Sequence, residues 1–234
     1  MTMPRLIEPE WLDDLPSEDP RAIRSRNDLR RINGIMGHVG FFTRIFSNSF
    51  RGQSPRRIVE IGTGDGILLL NVAGRLGLRS PKNEATLLDL HPVVSAETTE
   101  AMAALGWTTR VEKADVFNWA AHKEPVDVVM ANLFLHHFPD ESLSRLFRLI
   151  SQRASVFVAC EPRRGSFALT ASRLVGLIGC NDVTRHDAVI SVRAGFRARE
   201  LSDLWPSASG WKLDEAKTGL FSHGFVASRA QEPA

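Results

Sequence analysis

Five short strand-like runs, four of them mainly apolar, separated by stretches of helical periodicity, restrict this chain to one kind of architecture. They are Arg57 to Ile61, Ala85 to Asp89, Thr108 to Lys113, Val126 to Asn132 and Ser155 to Cys160. Unbroken runs of this length between amphipathic segments are the mark of parallel strands covered on both faces. Leu69, Val72, Ala73 and Leu76 form the apolar stripe of one intervening helix, and Leu143, Leu146, Phe147 and Ile150 that of another. The last two runs, Trp211 to Lys217 and Leu220 to Ser228, are separated only by Thr218 and Gly219. Two residues cannot make a helical crossover, so this pair must be antiparallel. The expected fold is α/β: a seven-stranded, mostly parallel Rossmann-like sheet ending in an antiparallel hairpin, with helices on both faces.

A chain of 234 residues with 43% hydrophobic content suits one such domain and an accessory. Residues 1–50 read as an irregular arm followed by a helical lid, and residues 51–234 as the main domain, with a lid insertion at about 163–195. From Arg21 to Ser49 the period is helical, with Leu29, Ile32, Ile35 or Met36, and Val39 on one face. Gly34, Gly37 and Gly40 interrupt it, each at a cost of about 1 kcal/mol relative to alanine, which implies either a joint between two helices or a close approach of the backbone to a ligand. Lys plus Arg (29) nearly balance Asp plus Glu (27), which gives no reason to expect a nucleic-acid partner. No run is long enough for membrane insertion. The first residues carry acids and prolines where a signal peptide needs an apolar run, and Cys160 and Cys180 form no disulfide framework or C-x-x-C pair. A reducing, cytoplasmic setting is therefore expected.

The first strand leads into Glu60-Ile61-Gly62-Thr63-Gly64-Asp65-Gly66 and then a helix. Glycines at this spacing let a ligand come against the backbone at a helix start. The pattern is E-x-G-x-G-x-G. The dinucleotide fingerprint G-x-G-x-x-G would need glycine where Ile67 stands, which disfavours an NAD-dependent oxidoreductase. In open α/β sheets ligands bind beyond the carboxyl ends of the strands, and four consecutive strands here end in Glu60, Asp89, Asp115 and Asn132. Asp89 stands at the distance from the glycines at which an acid can accept hydrogen bonds from a ribose diol, or it caps the following turn.

This loop, the order of the strand-end acids, the terminal hairpin and the block Asp127 to Phe138, with its paired His136 and His137, resemble the class I S-adenosylmethionine (SAM)-dependent methyltransferases. The similarity covers roughly residues 57–161, and extends more loosely, through Arg24 to Gly34 and Thr184 to Arg193, to small-molecule quinone- and polyketide-type bacterial enzymes. It implies SAM as cofactor and S-adenosylhomocysteine (SAH) as product. Glu60, Gly62, Gly64, Gly66, Asp89, Leu90, Asp115, Val116, Asn132 and Leu133 are then the cofactor residues, Asp115 meeting the adenine amino group. The acceptor expected is a small aromatic or polyketide-like molecule, and the oligomeric state stays open, a homodimer included.

Methyl transfer to a hydroxyl requires a base, and histidine has a suitable pKa. His186, beside Asp187 in the lid segment, His137 and His136 are the candidates; each has an ordinary alternative as a packed or surface residue. O-methylation without a metal is the leading expectation, since Ala131 to Pro139 contain no acid to hold a hard cation. Carbon methylation of a quinone-like ring and a non-catalytic SAM-binding module are the alternatives. Arg163, Arg164, Arg193 and Arg197 are either surface residues or contacts for a substrate carboxylate, and the segment Phe167 to Ile178 with Phe41 and Phe42 would wall an apolar pocket.

Overall fold

The computed structural model describes residues 3–50, 55–77, 83–122, 124–206 and 210–229. Strands β1 (Arg57–Ile61), β2 (Asn83–Asp89), β3 (Trp107–Lys113), β4 (Val126–Asn132), β5 (Ala154–Pro162), β6 (Trp211–Thr218) and β7 (Ser222–Arg229) form one sheet in the order β3-β2-β1-β4-β5-β7-β6. The first five are parallel; β7 lies antiparallel to β5, and β6 to β7. The expected sheet, hairpin included, is what forms. Its growth reverses direction between β1 and β4, so the carboxyl ends of those two strands open a crevice.

Alternation along the buried strands divides the core. Val129 and Ala131 of β4 point to one side with Val59 and Ile61, while Val128 and Met130 point to the other with Ile58. Helices α4 (Ile67–Leu76) and α5 (Ala96–Ala104) cover the second side. The first is covered by α6 (Val116–Ala120), α7 (Asp140–Ser151) and α10 (Glu200–Leu204). There Phe147, Phe157 and Phe225, all fully buried, gather around Trp205 with ring centroids 5.1–5.6 Å from it.

The amino-terminal helices correct the sequence reading in two ways. Pro20 sits at the first turn of α2 (Pro20–Met36) and Asp19 caps it. The inward face is Ala22, Ser25 and Asp28, whereas Ile35 is 68% exposed. Polar residues can face inward because hydrogen bonds meet them: Ser25 and Thr184 hydroxyls lie 2.8 Å apart, and the Asn181 N–H donates to Asp28 at 2.8 Å. Gly37, at φ +72°, ends α2, and α3 (His38–Phe50) follows at once, so the glycines mark a joint. Phe41 and Phe42 are core residues under α3, not pocket wall. The residues before α2 include a four-residue helix α1 (Trp11–Asp14).

After β5 the lid segment divides into α8 (Ser166–Arg173), a 3-10 turn (Val175–Ile178) and α9 (Asp182–Ala194), whose amino end Asn181 caps. The segment Phe167 to Ile178 is thus not one helix but breaks at Leu174. Its apolar residues Phe167, Leu174, Leu177 and Ile178 are exposed, so they do not form the buried wall expected of them. Cys160 and Cys180 are buried free thiols, and no helix of the described residues is long and apolar enough to cross a membrane.

Removing a ring from the aromatic cluster leaves a cavity that the crossed strands and α7 cannot close. Phe157→Ala should lower unfolding free energy by about 3–5 kcal/mol in urea titration; a loss under about 1 kcal/mol would show the cluster to be loosely packed.

Candidate functional site

The loop after β1 is built on backbone that side chains cannot easily follow. Gly62, Gly64 and Gly66 have φ of +67°, +56° and +72°. At Gly62 a Cβ would stand 2.2 Å from the Phe134 ring, so the loop and the segment after β4 pack through this residue. At Gly64 a Cβ would meet nothing within 4 Å. Its N–H donates to Asp89 Oδ2 at 2.9 Å, its carbonyl accepts from the Val93 N–H at 3.0 Å, and the Thr63 N–H donates to the Leu88 carbonyl at 3.1 Å. The end of β2 thus holds the loop open. Asp89 Oδ1 accepts from the His91 N–H at 2.8 Å, and each carboxylate oxygen keeps a second lone pair for another donor. Leu90 beside it is exposed.

Glu60 lies behind the loop. It is 2% exposed, accepts from the Thr63 hydroxyl at 2.9 Å, and burial pushes its carboxyl up to about 8. It braces the turn from within. Asp65 accepts from Arg30 of α2 at 2.6 Å, which brings the lid helix to the loop. Asp115 caps α6 by accepting from the N–H groups of Phe117 and Asn118 through Oδ1, and Val116 after it is buried. Leu133, at φ +52°, turns the chain sharply out of β4. Asn132 Oδ1 has no hydrogen-bond partner among the described residues, and neither does Nδ1 of the buried His38.

The segment after Leu133 is organised by Glu161, at the end of β5 and fully buried. Its Oε1 accepts from the N–H groups of Phe134 and Leu135 at 3.1 and 2.9 Å, and its Oε2 lies 2.8 Å from His136 Nδ1. His136 Nε2 is 3.2 Å from Glu10 Oε1, so this imidazole stands between two carboxylates. Burial opposes its charge, but the bonds to Glu10 and Glu161 outweigh that and hold it up to about 9. His136 presents no free nitrogen to a substrate. His137 stacks on it at 4.3 Å, with Nδ1 3.4 Å from Asp13; burial and the His136 charge lower it to about 4.

The arm that supplies Glu10 and Asp13 has no periodicity to reveal it in the sequence; it docks by hydrogen bonds. Arg5 donates to the carbonyls of Ala194 and Phe138, pairs with Asp140 at 2.7 Å and lies over the Phe196 ring. Asp187 accepts from the N–H groups of Trp11 and Leu12 at 2.9 and 3.0 Å, and from His186 Nδ1 at 2.8 Å, while Trp11 stacks on the His186 ring at 3.8 Å. Asp13 is pushed up to about 6, first by burial and then by the charges of Glu10, Asp187 and Asp89. The arm therefore spans the distance between the lid helix α9 and the acid beside the glycine loop. Of the arginines, Arg164 is buried on Glu200 and the Met3 and Gly195 carbonyls, and Arg193 and Arg197 pair with Glu8 and Glu200.

A family profile described as a methyltransferase domain matches residues 58–154, the stretch that contains the loop, Asp89, Asp115 and the fourth strand. Over these residues the chain is similar to a methyltransferase domain. No curated protein matches the chain by sequence. Among solved structures it is similar to the plantazolicin methyltransferase BpumL in complex with SAH, at 15% identity over 91% of both chains with a TM-score of 0.65. It is also similar to the mitomycin 7-O-methyltransferase MmcR, at 19% identity over 94% of this chain and 60% of that one, TM-score 0.60. A third is an O-methyltransferase family protein from Burkholderia thailandensis, at 14% identity over 92% and 62%, TM-score 0.57. At these identities the likeness is one of fold, and the chain spans about three fifths of the two O-methyltransferases.

The residues of this methyltransferase fit its cofactor. The open face at Gly64 leaves the loop backbone accessible, and the spare lone pairs of Asp89 stand beside it. Since Glu60 takes up its proton more readily in the folded state than in the unfolded one, its contribution to stability is fully present below about pH 4.5 and is lost as pH rises through about 8. Glu60→Gln should therefore gain in melting temperature relative to the parent across that window, by thermal scans of cofactor-free protein from pH 5 to 9; parallel profiles would show Glu60 ionised throughout.

Proposed function

We propose that this methyltransferase methylates a hydroxyl of a small, largely apolar or aromatic acceptor, with His186 as general base. The observation that carries this reading is the pairing of His186 with Asp187 under Trp11. Asp187, ionised, accepts from Nδ1–H of His186, which puts the lone pair on Nε2 and holds the ring in one orientation. Nε2 can then take the acceptor's hydroxyl proton, in the role that general bases fill elsewhere. Trp11 offers a flat apolar surface against that ring. SAM, when bound, supplies the electrophilic methyl group; Gly62, Gly64, Asp89 and the segment from Asn132 to Leu133 would hold it, with Asp115 and Val116 toward its adenine.

His136 suits a structural role, since it is already shared by two carboxylates. The solved relatives support the acceptor class: one is a mitomycin 7-O-methyltransferase, and the plantazolicin methyltransferase binds monoazolic and triazolic desmethylPZN analogs. The buried free thiols of Cys160 and Cys180 fit a reducing, cytoplasmic setting.

The protein incubated with SAM and a panel of phenols should release SAH. His186→Ala should lower kcat by about 10²–10⁴ with unchanged SAH affinity. Full activity of that variant would remove His186 as the base, and carbon-methylated product would replace oxygen as the acceptor atom.

A further inference from the structure

Where the arm meets the segment after β4, a Glu10 carboxylate oxygen and one ring nitrogen each of His136 and His137 all lie within 4.8 Å of one another. We propose that these three residues bind a single divalent transition ion, zinc being the best match. Two nitrogens and one oxygen are the donor set of a borderline-soft ion, unlike the all-oxygen clusters that hold magnesium or calcium.

Three features make the cluster a built site. The first is spacing. Two ligands each about 2.0–2.1 Å from a tetrahedral zinc stand roughly 3.3 Å apart, and Glu10 Oε1 is 3.2 Å from His136 Nε2. That pair already stands at the separation two ligands of one ion keep, and the His137 nitrogen lies within 4.8 Å of both. The second is outer support. The Nδ1 of His136 bonds to Glu161, itself fixed by the N–H groups of Phe134 and Leu135, so Nε2 is aimed at Glu10. A carboxylate behind the far nitrogen is the usual way a metal-binding histidine is oriented. Glu10 is held in turn by the Ser191 hydroxyl. The third is charge. Glu10, Asp13, Glu161 and Asp187 converge here, Arg5 is engaged by Asp140 and by carbonyls, and His136 binds the ion as a neutral imidazole, its Nε2 proton passing to solvent as the ion takes its place against Glu10. A divalent ion balances this excess.

The sequence hid the site because Glu10 lies 126 positions from His136. Three protein ligands leave one coordination position for water or an acceptor oxygen, and the ion would fasten the arm to the segment beside the cofactor crevice. The inference stands apart from the choice of acceptor and base.

The test is a Co²⁺ titration of the chelator-stripped full chain followed by visible absorption, with Zn²⁺ as competitor and SAH calorimetry as the check on folding. One Co²⁺ per chain, displaced by Zn²⁺, is expected. Glu10→Gln and His137→Gln, assayed separately, should each weaken binding at least tenfold while SAH affinity stays within about twofold. Absence of Co²⁺ and Zn²⁺ binding by protein that binds SAH would overturn the site. So would binding that neither substitution weakens.

Discussion

One buried carboxylate sets the geometry on which the segment after β4 and the amino-terminal arm depend. Glu161 is fully buried at the end of β5 and spends its oxygens on the N–H groups of Phe134 and Leu135 and on the His136 ring. A charge so placed is tolerable only when its lone pairs are met. Meeting them forces the chain after β4 into a tight turn, seen in the positive φ of Leu133, and sets Phe134 against Gly62 of the cofactor loop. The same bonds fix His136, and through it Glu10. A residue at the carboxyl end of an inner strand thus positions both the segment packed on the glycine loop and the amino-terminal arm.

The glycine loop is joined to the lid and the arm through α2 and α9. Arg30 of α2 reaches Asp65 of the loop, and Asp28 of the same helix receives the Asn181 N–H that opens α9. Asp187 of α9 holds the backbone of α1, whose Asp13 feels Asp89. Hydrogen bonds therefore run in one chain from the loop through α2 and α9 to the arm. Because much of it runs through side chains from the arm, loss of the arm should be felt on both sides.

What the sequence made legible was whatever is encoded locally. Strand length, helical stripes and the two-residue gap before Leu220 carried the sheet and its antiparallel end. The glycine spacing and the acid at the end of β2 located the loop, since the glycines are neighbours in sequence and the pairing of β1 with β2 brings Asp89 to them by topology alone. Residues that act through long-range hydrogen bonds left no such trace. Glu10, Trp11 and Asp13 sit in an aperiodic arm; Ser25 and Asp28 form a polar inward face that a search for apolar periodicity passes over. Phe41 and Phe42 looked like pocket wall because apolarity does not say which side of a helix the sheet will take. Glu60 was read as a ligand-facing acid, and its place behind the loop depends on the pleat, with Thr63 turned back to meet it.

The central claim is that the loop from Gly62 to Gly66, held open by Asp89, is the seat of SAM. Calorimetric titration of SAH into the full chain and into Asp89→Asn measures it most directly. One site per chain in the parent, weakened at least about tenfold in the variant through loss of a charge-assisted hydrogen bond, is the result this account predicts. Failure of the parent to bind SAH, or equal affinity in the two proteins, would contradict it.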